Sequence, residues 1–170
     1  MLRKQADTDK RDIHRTVLTS KADARREGAA MRGDDLKKLN EHFYDEVFRH
    51  RNVNAIDELL TEDFVEHIPA PDQDTGRQGA KDFIGQVLQA FPDLDLKIEN
   101  QIVEGDTVAA VLRMTGTHQA EFVGVPPTGR KVSIEVMDMV RVRDNRFSEH
   151  WGLADMGGLM AQLGVAPGRG

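Results

Sequence analysis

Ile134-Glu135-Val136-Met137-Asp138-Met139-Val140-Arg141-Val142-Arg143 is the stretch that decides the fold. Ile134, Val136, Val140 and Val142 alternate with charged residues and methionines. That period of two predicts a half-buried β-strand. Its inward face carries Asp138 in the middle of an apolar row. An unpaired buried carboxylate is costly, and proteins keep one most often where they need an acid or a base. The alternative is an Asp paired with an Arg or His in a structural network. Met137 and Met139 fall on the opposite face, where a partner subunit or the chain itself would cover them.

Outward from this strand, Asp144-Asn145 predicts a tight turn into a last strand, Arg146 to Trp151. The turn sets which residue faces Asp138. A two-residue loop pairs Arg143 with Arg146 and puts Asp138 opposite Trp151. A three-residue loop puts Asp138 opposite His150 and brings Val136, Asp138, His150 and Gly152 onto one face. An Asp–His pair there is a credible acid/base couple, since His titrates near neutrality and a carboxylate orients it. The sequence leaves the two registers open.

Upstream, Leu94, Leu96 and Ile98 begin another alternating run, and Glu104-Gly105-Asp106 predicts a hairpin turn into a strand over Thr107 to His118. Before residue 94 the period is helical. Leu36, Leu39, Phe43 and Val47 share a face behind Asp34 as N-cap. Asn52 caps a short second helix with Ile56, Leu59 and Leu60. Phe64 to Ile68 is extended and ends at Pro69. Phe83, Val87, Leu88 and Phe91 mark a third helix, which Pro92 stops. A last short helix falls around Met156–Leu163. Helices first and a curved sheet afterwards predict an α+β fold, with an antiparallel or mixed sheet wrapped around helices. Such a cone encloses an apolar pocket, the usual form of a small-molecule site.

The chain has 170 residues, 39% hydrophobic and 31% charged, with no cysteine and a net charge of −6. One domain with a real core is expected over residues 33–164. Residues 1–32 hold nine Lys or Arg against five Asp or Glu and few apolar residues, which predicts a basic, disordered or loosely helical extension. Residues 165–170 read as a flexible tail. The acidic body argues against nucleic acid as a partner. No stretch approaches the ~20 apolar residues of a membrane span, and the start lacks a signal-peptide core, so a cytoplasmic location is expected. No phosphate-binding glycine motif and no Gly-x-Ser-x-Gly elbow is present. His67, His118 and His150 do not have the spacing of a metal signature, so no metal is expected. Singly, such histidines are more often structural hydrogen bonders than site residues. Phe122, Val123 and Val125 are more apolar than a loop requires and suit a pocket mouth or an interface.

Three segments carry a family resemblance. Gly116 to Arg130 (GTHQAEFVGVPPTGR), Glu149 to Asp155 (EHWGLAD) and Gln162-Leu163-Gly164 resemble the signature of the SnoaL-like polyketide and ester cyclases, across about residues 36–164. The resemblance implies the cone-shaped α+β barrel of the nuclear transport factor 2 superfamily, usually a homodimer or tetramer. It implies intramolecular aldol ring closure of an aromatic polyketide ester, without metal or organic cofactor. In those cyclases an Asp two residues after the last-strand His removes a proton next to a carbonyl. Here that position is Gly152, and Asp138 matches a pocket position on the neighbouring strand. The expected function is therefore cofactor-independent acid/base chemistry on a hydrophobic cyclic or polyketide-like molecule. Asp138 would be the base, and His150 or His118 the partner that steadies the oxyanion. His67, His118, Phe122, Val136, Trp151 and Gly152 would contact substrate, Trp151 as a wall for flat rings. A binding protein without turnover, a structural oligomer with a vestigial pocket, and a hydroxylase or epoxide hydrolase on the same fold are the alternatives.

Overall fold

The computed structural model of the protein describes residues 32–165. The expected extension (1–32) and tail (165–170) lie outside the described residues, apart from Arg32 and Val165. Helix α1, Gly33–Tyr44, runs on into a wider π-helical turn, Asp45–Arg49. A 3-10 turn, Val53–Ala55, leads to the short α2, Ile56–Leu59, and directly to β1, Leu60–Glu66. Then come α3, Arg77–Ala90; β2, Asp95–Glu104; β3, Thr107–Thr117; β4, Lys131–Arg143; β5, Arg146–Ala154; and α4, Met156–Leu163. The α+β expectation holds, and the sheet is mixed. Its order is β1-β5-β4-β3-β2, with β1 parallel to β5 and the other pairs antiparallel.

Several local expectations shift. Helix α1 starts at Gly33 behind an extended Arg32, and no side chain caps it. Asp34 and Asp35 instead occupy the first turn, where negative charge suits the helix dipole. The fully buried stripe of this first helix is Leu36, Asn40, Tyr44 and Val47, with Leu39 and Phe43 half-buried beside it. Leu60 opens β1 rather than closing the second helix. The last strand reaches Ala154 rather than Trp151.

The β4–β5 hairpin resolves the open register in an unforeseen way. Asp144 and Asn145 both have positive φ, 52° and 58°, as a two-residue hairpin turn requires. Arg143 pairs with Arg146, as that loop dictates. The register then shifts between Arg141 and Val142: Val142 pairs with Phe147 but Arg141 pairs with Glu149. Ser148 is the extra residue of a β-bulge, which explains why Phe147 and Ser148 are both buried in succession. Its hydroxyl donates to the Arg141 carbonyl at 3.2 Å. The bulge places Asp138 opposite Gly152 and Val140 opposite His150. The two-residue loop alone would have sent His150 to the other face.

Val108, Ala110, Leu112 and Met114 of β3 and Val132, Ile134, Val140 and Val142 of β4 point inward and are buried. Phe91, Leu159 and Leu163 from the end of α3 and from α4 pack on this face. The outer face is different. Ile102, Met137, Met139 and Leu153 lie exposed there, between 37% and 66%.

Candidate functional site

A cavity of about 370 Å³ lies between the inner sheet face and the helices. Phe43, Phe48, Phe64, Phe83, Phe122 and Phe147 contribute to its walls. Its ionisable lining groups are Tyr44, Glu66, Asp138 and His150, and among the described residues no Lys or Arg lines it. The expected contacts Phe122, Val136 and Gly152 are on this surface. Phe122 is held there by a tight turn over Val123 and Gly124, both at positive φ, whose ends Phe122 and Val125 exchange backbone hydrogen bonds.

The four ionisable groups form one chain. Tyr44 Oη donates to Asp138 Oδ2 at 2.5 Å. Asp138 Oδ1 lies 3.5 Å from His150 Nε2, at the outer limit of hydrogen-bonding reach. His150 Nδ1 bonds Glu66 Oε2. The remaining Glu66 oxygen, Oε1, accepts from the Ile68 backbone N–H at 3.0 Å. Glu66 pairs directly with His150 in the parallel β1–β5 register, so backbone geometry brings these side chains together.

Burial is graded along the chain. The Glu66 side chain is 6% exposed, Asp138 15% and His150 26%, and the exposed part of His150 is cavity wall. Both ring nitrogens of His150 therefore face carboxylates, which only accept when ionised. A neutral imidazole has one N–H and satisfies one of them; the imidazolium satisfies both. Burial alone would lower the pKa of His150, but the hydrogen bonds and charges of Asp138 and Glu66 outweigh it and raise the value to about 10. Burial first, and the Asp138 charge second, push the Tyr44 phenol well above its ordinary value, so it stays a donor.

Gly152 makes this packing possible. A Cβ built there would meet His150 Cε1 at 2.6 Å and Asp138 Oδ1 at 3.1 Å. The space that a side chain at 152 would enter is filled by the imidazole and by the carboxylate reaching across from β4.

Three expected site residues sit elsewhere. Trp151 lies on the outer sheet face, paired with Met139, because each step along a strand changes face. His67 stacks flat on that outer Trp151, ring centroids 4.2 Å apart and planes within 2°, and bonds Glu149 at 2.8 Å. His118 is fully buried but does not line the cavity; its Nδ1 accepts from the Thr128 N–H at 3.3 Å, and burial pushes its pKa down. The oxyanion role considered for His118, and the substrate contacts expected of His67, His118 and Trp151, are thus corrected by position.

Two residues were missed. Tyr44 escaped because an apolar-only count along α1 skips it, although it lies eight residues, about two helical turns, after Leu36. Glu66 had a signal: it falls two residues after the buried Phe64, on the same strand face. The alternation that singled out Asp138 applies to it unchanged.

The sequence pattern that defines the SnoaL-like polyketide cyclases matches residues 38–163. The chain is 30% identical over 123 residues to the nogalonic acid methyl ester cyclase of Streptomyces nogalater, covering 69% of this chain and 90% of that protein. Among solved structures, TsrD from Streptomyces laurentii superposes with a TM-score of 0.72 at 27% identity, over 79% of this chain and 98% of TsrD. AclR from Streptomyces galilaeus gives 0.70 at 30% identity, over 80% of this chain and all of AclR.

Proposed function

As this chain belongs to the SnoaL-like polyketide cyclase family, we propose that it closes a ring in an aromatic polyketide ester by acid/base chemistry without a cofactor. The observation that carries this reading is a carboxylate, Asp138, on the wall of an apolar cavity beside an imidazolium and a phenol. The similarity to a methyl ester cyclase supports the substrate class.

Asp138 takes a proton from the carbon next to the ester carbonyl. The C–H electron pair becomes the enolate, and its negative oxygen is met by the Nε2–H of His150. The enolate carbon attacks a ketone carbonyl further along the substrate, forming the C–C bond. The resulting alkoxide takes the proton back from Asp138. Atoms and electrons balance within one molecule, so the step needs no oxidant and no co-substrate. The 3.5 Å gap between Nε2 and Asp138 leaves the donor only lightly engaged, free to turn to a substrate oxygen. Tyr44 keeps the carboxylate in place and the phenyl walls exclude water, which strengthens each of these contacts.

The outer face adds a homo-oligomer to the proposal. Ile68, Ile102, Met137, Met139, Trp151 and Leu153 line one shallow groove there. Exposed apolar groups in one patch mark an interaction surface, and a second copy of the chain is the partner that the reading favours. Among the described residues no helix is long and apolar enough to cross a membrane.

The test is incubation of nogalonic acid methyl ester with the purified chain in the presence of a metal chelator. A cyclised product of unchanged mass is expected. Ester recovered unaltered after long incubation, while still bound by the protein, would replace the enzyme with a binding protein.

A further inference from the structure

Glu66 has no part in the proton transfers described above, yet it is the most buried carboxylate of the site. Both of its oxygens are engaged inside the protein, one by the Ile68 N–H and one by His150 Nδ1. Its backbone N–H is also used, on the Thr75 carbonyl, and the His67 N–H bonds the His150 carbonyl, so both strands are pinned where the two side chains meet. A carboxylate so confined acts on the ligand chiefly through the group it holds.

We propose that Glu66 is a positioning residue: it captures the Nδ1–H of His150, holds the ring as an imidazolium, and so keeps an Nε2–H donor aimed at Asp138 and at a substrate oxygen beside it. The charged groups facing His150 come from three elements. Glu66 belongs to β1 and Asp138 to β4, while Tyr44 of α1 reaches the ring through Asp138. Glu149, next to His150 in its own strand, is turned to the outer face with His67 and Arg141. Two carboxylates thus bracket one cation, and the pair is asymmetric. The Glu66 contact is close and the Asp138 contact is long. The close, buried partner fixes the ring; the distant, cavity-facing partner stays free for chemistry. Without Glu66, Nδ1–H has no acceptor and only the distant Asp138 carboxylate is left to hold the charge, so neither the second proton nor the aim of Nε2–H is fixed.

This inference rests on the proposed reaction for its catalytic consequence, but its central statement concerns the resting protein and is tested without substrate. Ring-nitrogen NMR of ¹⁵N-histidine-labelled full-length chain, with His150 assigned through His150→Gln, reads both nitrogens. In the wild type both should carry protons from pH 6 to 8.5. In Glu66→Gln the amide offers one acceptor oxygen to two donors and no charge, so the midpoint of His150 should fall by about one pH unit or more. A wild-type His150 with a single ring proton at pH 8 overturns the proposal, and so does a Glu66→Gln titration that superimposes on the wild type. A singly protonated wild-type ring overturns the proposal even where the variant does not fold.

Turnover of nogalonic acid methyl ester supplies the second arm. Glu66→Gln should lower kcat by about a hundredfold, as loss of an oxyanion donor does, with KM within about twofold. An unchanged kcat overturns the positioning role. A wild type that closes no ring while holding a doubly protonated His150 removes the reaction and leaves the imidazolium clamp standing.

Discussion

Replacing His150 by Gln should abolish most of the dependence of stability on pH between 7 and 9.5. The sign follows from the direction of its shift. The group binds its proton more tightly folded than unfolded, so the stabilisation is present in full below the unfolded value near 6.5 and is lost as pH rises towards about 10. With one pH unit equal to about 1.4 kcal/mol, the imidazolium contributes roughly 4 kcal/mol at pH 7 and about 1 kcal/mol at pH 9.5. A fall of roughly 3 kcal/mol across this window is a large part of the 5–15 kcal/mol typical of a domain. Burial and the Asp138 charge hold the Tyr44 phenol well above its ordinary value near 10, beyond this window, so His150 dominates the slope. The assay is urea unfolding followed by circular dichroism at half-unit steps of pH. The wild type should lose stability steadily. His150→Gln should be less stable at pH 7, by about 3–5 kcal/mol, because two buried carboxylates lose their cation, but its curve should be nearly flat. Parallel curves for the two proteins would refute the reasoning.

Three further outcomes follow from the same geometry. Tyr44→Phe keeps the ring and deletes the donor to Asp138, which should cost about 1.5–3 kcal/mol in denaturant titration, the range for a hydrogen bond to a charged group. Gly152→Ala drives a methyl into His150 Cε1 at 2.6 Å; it should destabilise the fold by about 1–3 kcal/mol and lower turnover, measured by unfolding and by ring closure in parallel. Met137→Lys places a charge in the outer groove and should shift the protein to a smaller species in light scattering, with a change in Trp151 emission. An unchanged mass would remove the outer face as the assembly surface.

Much of this architecture was legible in the chain. The alternation around Asp138 gave a strand, its inward face and a cavity-facing carboxylate, because a period of two survives without any tertiary information. The neighbouring strand was harder. Asp144-Asn145 located its turn but left the loop length open, and the bulge at Ser148 was invisible, since an extra residue in one strand is defined only against its partner. That single insertion returned His150 to the cavity and carried Trp151 outward. His67 and His118 show the limit of residue type as a guide. One imidazole stacks outside the sheet and the other is sealed beside Thr128, and nothing local distinguishes them from His150. Tyr44 and Glu66 were present in the periodic patterns but were passed over as polar. The clamp emerges only when β1 lies parallel to β5, a long-range pairing that the sequence of neither strand announces.

The most direct measurement is the rate of ring closure by Asp138→Asn beside the wild type, on nogalonic acid methyl ester. The amide preserves the shape of the side chain and the contact from Tyr44, and removes the proton acceptor. A fall in kcat of about 10²–10⁴-fold is predicted, the range for loss of a general base, with the fold intact by circular dichroism. Turnover equal to the wild type would contradict the assignment of Asp138 as the base.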